Sequence, residues 1–284
     1  MALSSHAYID LSQGTRKMPL SRSEHRKSLS ERESRVLSDL SFRGKAIFAP
    51  ADLEPYGIDA KRFLRGLRRK GWIAWIKRGL YVIAPLEAGA EGARKHTVHG
   101  FVLASHIVGP SYVGFWSALN HHGMSEATPP AVYVATRAPV ASRTIFDIPF
   151  VFVTLRPWKM FGTERVMIEG EGVAISDPEK TIVDCLDHPE HAGGILSLAE
   201  VLREEFGRLD FDRIVRYAQR MRNTTILKRL GYLLEAQGRG DEARRIGRHR
   251  LGEGYSKLDP KFPTAGPTNE RWKLRVNVSV GREM

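Results

Sequence analysis

Eight lysines and arginines and one acid occupy the twenty residues from Asp59 to Arg78. Cations at this density bind phosphate, and arginine adds bidentate bonding to phosphate or to guanine O6 and N7. Lys61, Arg62, Arg65, Arg68, Arg69 and Lys70 lie on or beside one helical face. Ala60, Phe63, Leu64, Leu67 and Gly71 recur at three- and four-residue steps on the other. Lys77 and Arg78 follow between two short apolar runs, at the tip of an expected hairpin.

Other residues suggest other chemistry. Asp177, Glu179, Lys180, Asp184 and Asp187 gather carboxylates around a lysine, the equipment of a metal-dependent nuclease. The same stretch has a simpler reading. Ser176-Asp177-Pro178-Glu179 fits a capping box with proline in the first turn, and Ile182, Val183 and Leu186 form the buried side of the helix. That structural reading is preferred. The pairs His96/His99, His121/His122 and His188/His191 lack an H-E-x-x-H or Cys/His framework, so they are read as ordinary surface or capping histidines and no metal is expected. Cys185 sits in an apolar helix and is expected to be a buried thiol. Ser117 has no nucleophile-elbow context. Neither glycine-rich nucleotide motif is present, so no cofactor and no catalytic residue is expected.

The cations need elements to hold them. SERESRVLSDL from Ser30 predicts a helix, with Ser30 and Glu33 as its capping box. A short helix is expected around Pro50–Leu53, ended by Pro55 and Gly57. Asp59 suits the N-cap of the basic helix. The hairpin closes the series by about Pro85. This order is that of a winged helix-turn-helix, in which the third helix enters the major groove and the wing reaches phosphates or the minor groove. Trp72, Trp75, Leu80, Tyr81 and Ile83 read as wing strands packed on the helices rather than as a base-stacking platform.

The fold class expected is α+β: an N-terminal winged helix-turn-helix domain over residues 30–86, then a larger mixed α/β domain over 95–284. Residues 1–29 read as a flexible basic leader and 87–94 as a linker. In the larger domain, helices are expected over 96–108, 115–123, 177–186, 196–206, 211–221 and 224–238, the last with Gly238 as C-cap. Strands are expected at 131–136 and 150–155, with two more across Glu169–Gly172.

The charge distribution supports this division. Residues 1–85 carry 17 Lys/Arg against 8 Asp/Glu, a net of +9, and the remaining residues 27 against 24, a net of +3. The single cysteine excludes an intrachain disulfide and a multi-cysteine zinc site, which places the chain in a reducing cytoplasm. No signal-peptide core and no membrane-spanning stretch is found in the sequence, so no membrane partner is expected.

Four segments in order then acquire a common meaning: LRRKGWIAWIKRGLYVI (67–83), YVGFWSALNHHGMSE (112–126) with AVYVAT (131–136), ISDPEKTIVDCLDHPEHAGGI (175–195), and YSKLDPKFPTAGPTNERWKLRVNV (255–278). Together they resemble the AbiEi antitoxins of type IV toxin–antitoxin systems, over about residues 30–278. The resemblance implies a winged helix that binds double-stranded operator DNA and represses its own operon, and a C-terminal domain that counteracts a nucleotidyltransferase-like toxin. It places the DNA contacts on Lys61, Arg62, Arg65, Arg68, Arg69, Lys77 and Arg78, with two copies expected on paired half-sites. Residues 1–29 lie outside the resemblance, and the basic segment 239–254 leaves open a second nucleic-acid contact. The alternatives are a nuclease targeted by the winged helix and a plain regulator without a toxin.

Overall fold

The structure, a computed structural model, describes residues 27–84, 98–145 and 148–280. The expected leader up to residue 26 and the linker over 87–94 lie outside the described residues, as does His96.

The chain opens with α1 (Glu31–Phe42), whose capping box forms as its sequence predicts. The Ser30 hydroxyl accepts from Glu33 N–H, and the Glu33 carboxylate accepts from Ser30 N–H at 2.7 Å. Strand β1 (Ile47–Phe48) leads into a 3-10 helix, Pro50–Tyr56. This helix runs through Pro55, expected to end it, and stops at Gly57, which takes the left-handed conformation at φ 58°. Helix α2 (Ala60–Arg69) and strands β2 (Ile73–Lys77) and β3 (Leu80–Ile83) follow. They make a three-stranded antiparallel sheet in the order β1-β3-β2. Val36, Leu37, Leu40, Phe48, Leu53, Leu64, Leu67, Ile73 and Ile83 form its buried core.

Beyond residue 98 the centre is a six-stranded mixed sheet, order β6-β7-β5-β4-β9-β8. Its strands are β4 (Ser111–Val113), β5 (Val132–Thr136), β6 (Arg143–Ile145), β7 (Ile148–Thr154), β8 (Thr163–Ile168) and β9 (Glu171–Ser176). Alternate side chains of a strand point to opposite faces, and here the two faces feed two cores. Tyr133, Ala135 and Val153 join one, and Val134, Phe150, Phe152 and Ile175 the other. The first face is covered by α4 (Phe115–His121), α5 (Pro178–Asp187), α6 (Ile195–Glu205), α7 (Phe211–Arg220), α8 (Thr224–Ala236) and α9 (Gly240–Gly247). The second is covered by α3 (Gly100–Ile107). Ile76 of β2 and Val82 of β3 also enter this second core, so the hairpin is anchored on the sheet's far side.

Two features lie outside the sequence expectations. The basic segment after Gly238 contains a helix, α9, seated through Ala243 and Ile246. The last motif forms a small sheet of β10 (Ser256–Lys257), β12 (Leu274–Arg275) and β11 (Thr268–Asn269). Trp272 from this region is fully buried and lies against Gly231 of α8, where a Cβ would come within 2.1 Å of the indole. Only glycine fits there.

Candidate nucleic-acid interface

Helix α2 starts where Asp59 accepts a hydrogen bond from Arg62 N–H at 3.2 Å, which puts a carboxylate at the positive end of the helix. Leu64 and Leu67 anchor its inner face in the core. Arg32 of α1 donates to the carbonyls of Tyr56 and Gly57 and so pins the turn that aims α2. Nothing in the sequence marked Arg32 for this task, because its partners are backbone atoms 24 and 25 residues away.

The outer face carries Lys61, Arg62, Arg65, Arg68 and Arg69, all exposed. Arg78 is exposed at the hairpin turn. Among the described residues none of these six cations has a carboxylate within ion-pair distance. Arg62, Arg65 and Arg69 line a groove between α2 and the start of α1, with Ser30, Arg32 and Ile58 on the other wall.

Two cations of the run stand apart. Lys70 turns back to Glu33 at 2.6 Å. Burial pushes the Glu33 carboxyl up, but hydrogen bonds from Lys70 and Ser30 outweigh it and hold this group below its ordinary range. Lys77 is half-buried, with its ammonium 3.4 Å from the carbonyl of Ile107, the last residue of α3. Trp75 on the hairpin is half-exposed, while Trp72 and Tyr81 pack against the N-terminal core.

The acidic cluster of α5 is a buried network. Asp177, rather than Ser176, is the N-cap: its carboxylate accepts from Lys180 N–H at 2.8 Å and from Arg213 at 2.7 Å. The Ser176 hydroxyl instead bonds Thr181. Glu179 accepts from Asp210 N–H at 3.1 Å and pairs with Arg213 at 3.2 Å. Lys180 and Asp184 are fully buried and paired, and Tyr112 joins them, 2.9 Å from the amine and 2.7 Å from the carboxylate. Burial pushes the Lys180 amine below its ordinary range and the Asp184 carboxyl above it, while each partner's charge opposes the shift. Asp187 takes Lys159 at 2.5 Å and Asn223 at 2.6 Å. Every carboxylate of this cluster therefore already has a protein partner.

The remaining candidates also have structural tasks. Ser117 bridges the carbonyl of Ala131 and the N–H of Tyr133, tying α4 to β5. Cys185 is fully buried, and burial raises its thiol well above the usual range. The last motif works in the same way: Asp259 caps α6 by accepting from Ile195 N–H at 2.8 Å, and Asn277 donates to the carbonyl of Asp259 at 2.7 Å. No described helix is long and apolar enough to cross a membrane.

This geometry defines a mixed α/β protein with a cation-faced helix at one end and a charge-satisfied core at the other. The same fold is seen in the crystal structure of the RV2827C protein from Mycobacterium tuberculosis, with a TM-score of 0.66 over 88% of this chain and 93% of that one, at 17% identity. Residues 112–236 match the family model of the AbiEi antitoxin C-terminal domain. The match spans β4 to the end of α8, including two of the four motifs that carried the resemblance. No curated protein matches the chain significantly.

Proposed function

We propose that the chain is a two-domain repressor and antitoxin. In this reading residues 30–86 are a winged helix-turn-helix that binds double-stranded operator DNA, preceded by a leader over 1–29. Residues 95–284 counteract a nucleotidyltransferase-like toxin encoded with it. The observation that carries DNA binding is the face of α2: Lys61, Arg62, Arg65, Arg68 and Arg69 are exposed and free of acid partners. Arg78 extends this face along the hairpin, and Lys77 contributes by leaving its α3 carbonyl for phosphate. Helix α2 follows two helical segments and precedes a hairpin, the order in which a recognition helix enters the major groove. The antitoxin role is supported by the family match at residues 112–236. Two copies on paired half-sites complete the arrangement.

Two experiments test the two halves. In a shift assay at physiological salt, the promoter of the chain's own operon binds more tightly than a scrambled duplex; equal affinity removes specific repression. Co-expression with the adjacent nucleotidyltransferase gene restores growth; no rescue, or the lack of such a gene, leaves a regulator without a toxin.

A further inference from the structure

Most polar residues of the third motif, ISDPEKTIVDCLDHPEHAGGI, have a visible structural task. Three do not. His188, Glu190 and His191 sit on the short 3-10 turn Pro189–His191 and its cap, between α5 and α6. Their spacing in the sequence matches no metal framework, but the fold brings one donor atom from each within 4.8 Å of the other two.

The details of the cluster suit coordination. Nδ1 of His188 faces Oε1 of Glu190 at 3.1 Å, and its Nε2 faces Oδ2 of Asp187 at 3.4 Å. A carboxylate behind the second ring nitrogen is the usual device that orients a metal-ligating imidazole. Oε2 of Glu190 is buried and has no hydrogen-bond partner, an expensive state for a carboxylate oxygen. The His191 ring is wedged against Phe115 and Tyr133, with centroids 5.7 Å from each, so packing rather than hydrogen bonding fixes it.

We propose that His188, Glu190 and His191 bind one divalent transition-metal ion of the zinc class. Two imidazoles and a carboxylate supply three ligands of a four-coordinate site, with water in the fourth position. Tetrahedral bonds of about 2.0–2.1 Å place donors about 3.3 Å apart, so the set closes by about 1.5 Å through side-chain rotation. Arg229 lies within Coulombic reach of Glu190, and Lys261 of His191. These cations weaken the site, and the carboxylates of Glu190 and Asp187 offset them. The ion would staple the end of α5 to the start of α6, within the region that matches the antitoxin family.

The test is Zn2+ titration of the chelator-treated full chain against a chromophoric competitor, with Co2+ absorbance as a second readout. One equivalent of Zn2+ binds, and Co2+ develops the visible bands of a four-coordinate nitrogen–oxygen site. Glu190→Gln, which keeps the side-chain shape, and His188→Gln each weaken Zn2+ binding about ten-fold or more. His249→Gln, distant in sequence and bonded to Gln219, leaves it unchanged. No Zn2+ uptake and no Co2+ bands with the unsubstituted chain overturn the proposal. So does uptake that neither Glu190→Gln nor His188→Gln alters.

Discussion

On α2, Arg62, Arg65, Arg68 and Arg69 face solvent without an acid partner, whereas on α7 and α9 Arg213, Arg244 and Arg245 are each held by a carboxylate. Arg245 also stacks over Phe211 at 4.8 Å, and nearby Arg239 over Phe206 at 4.4 Å. Both stretches are dense in arginine, yet their surroundings differ. Positive charge in a sequence marks an interface only where the fold leaves it unpaired, because a paired guanidinium must first give up its carboxylate to bind phosphate. In the segment 239–254, that leaves Arg239, Arg248 and Arg250 without ion pairs among the described residues, and Arg239 is half-buried over Phe206. This is a thinner surface than the five cations of α2.

Breaking the buried network has the largest expected effect. Asp184→Ala strands the Lys180 ammonium in a fully buried position and leaves Tyr112 without its acceptor. A loss of about 3–5 kcal/mol in unfolding free energy is expected, measurable by denaturant titration. If instead the variant keeps its stability and a metal-dependent DNA cleavage disappears, these residues are catalytic rather than structural.

Acidification separates the regions next. Burial lowers the affinity of His106 and His121 for protons, below the usual histidine value of 6.5. Their unfolded forms bind protons first, so stability is lost as the pH falls below about 6.5. Glu33 in the N-terminal region has a depressed pKa, so its contribution persists above the ordinary value of 4.5 and fades only below it. Hydrogen exchange from pH 7.5 to 5.0 should therefore loosen the six-stranded sheet before α1 and α2. The reverse order contradicts these assignments.

The smallest effect belongs to α9. Arg244→Ala with Arg245→Ala removes two exposed ion pairs, each contributing about 0–1 kcal/mol. DNA affinity measured by fluorescence anisotropy stays the same. A large loss would move the interface, or a second one, to α9.

Much of this was legible in the sequence, and the exceptions share physical causes. The caps Ser30, Glu33 and Asp59 act over three residues, so local spacing reveals them. The exposed cations of α2 follow from the helical period. Lys70 could not be separated from its neighbours, because its partner Glu33 is 37 residues away. Lys180 and Asp184 at i and i+4 look like a surface pair; only the assembled core shows them to be buried. Strands β4 and β10–β12 are two or three residues long, too short for alternation to register. Helix α9 carries little apolar period in the sequence, because only Ala243 and Ile246 are buried in its eight residues.

In the proposed function, α2 reads DNA through its unpaired cations. The most direct measurement is the salt dependence of operator affinity for the full chain and for Arg65→Ala with Arg69→Ala. Weaker binding is expected, with the slope of log K against log salt reduced by about 0.9 for each phosphate contact removed, or a loss of about 1–3 kcal/mol of discrimination where a base contact is removed. An unchanged affinity and slope, in a variant that retains its fold, would contradict it.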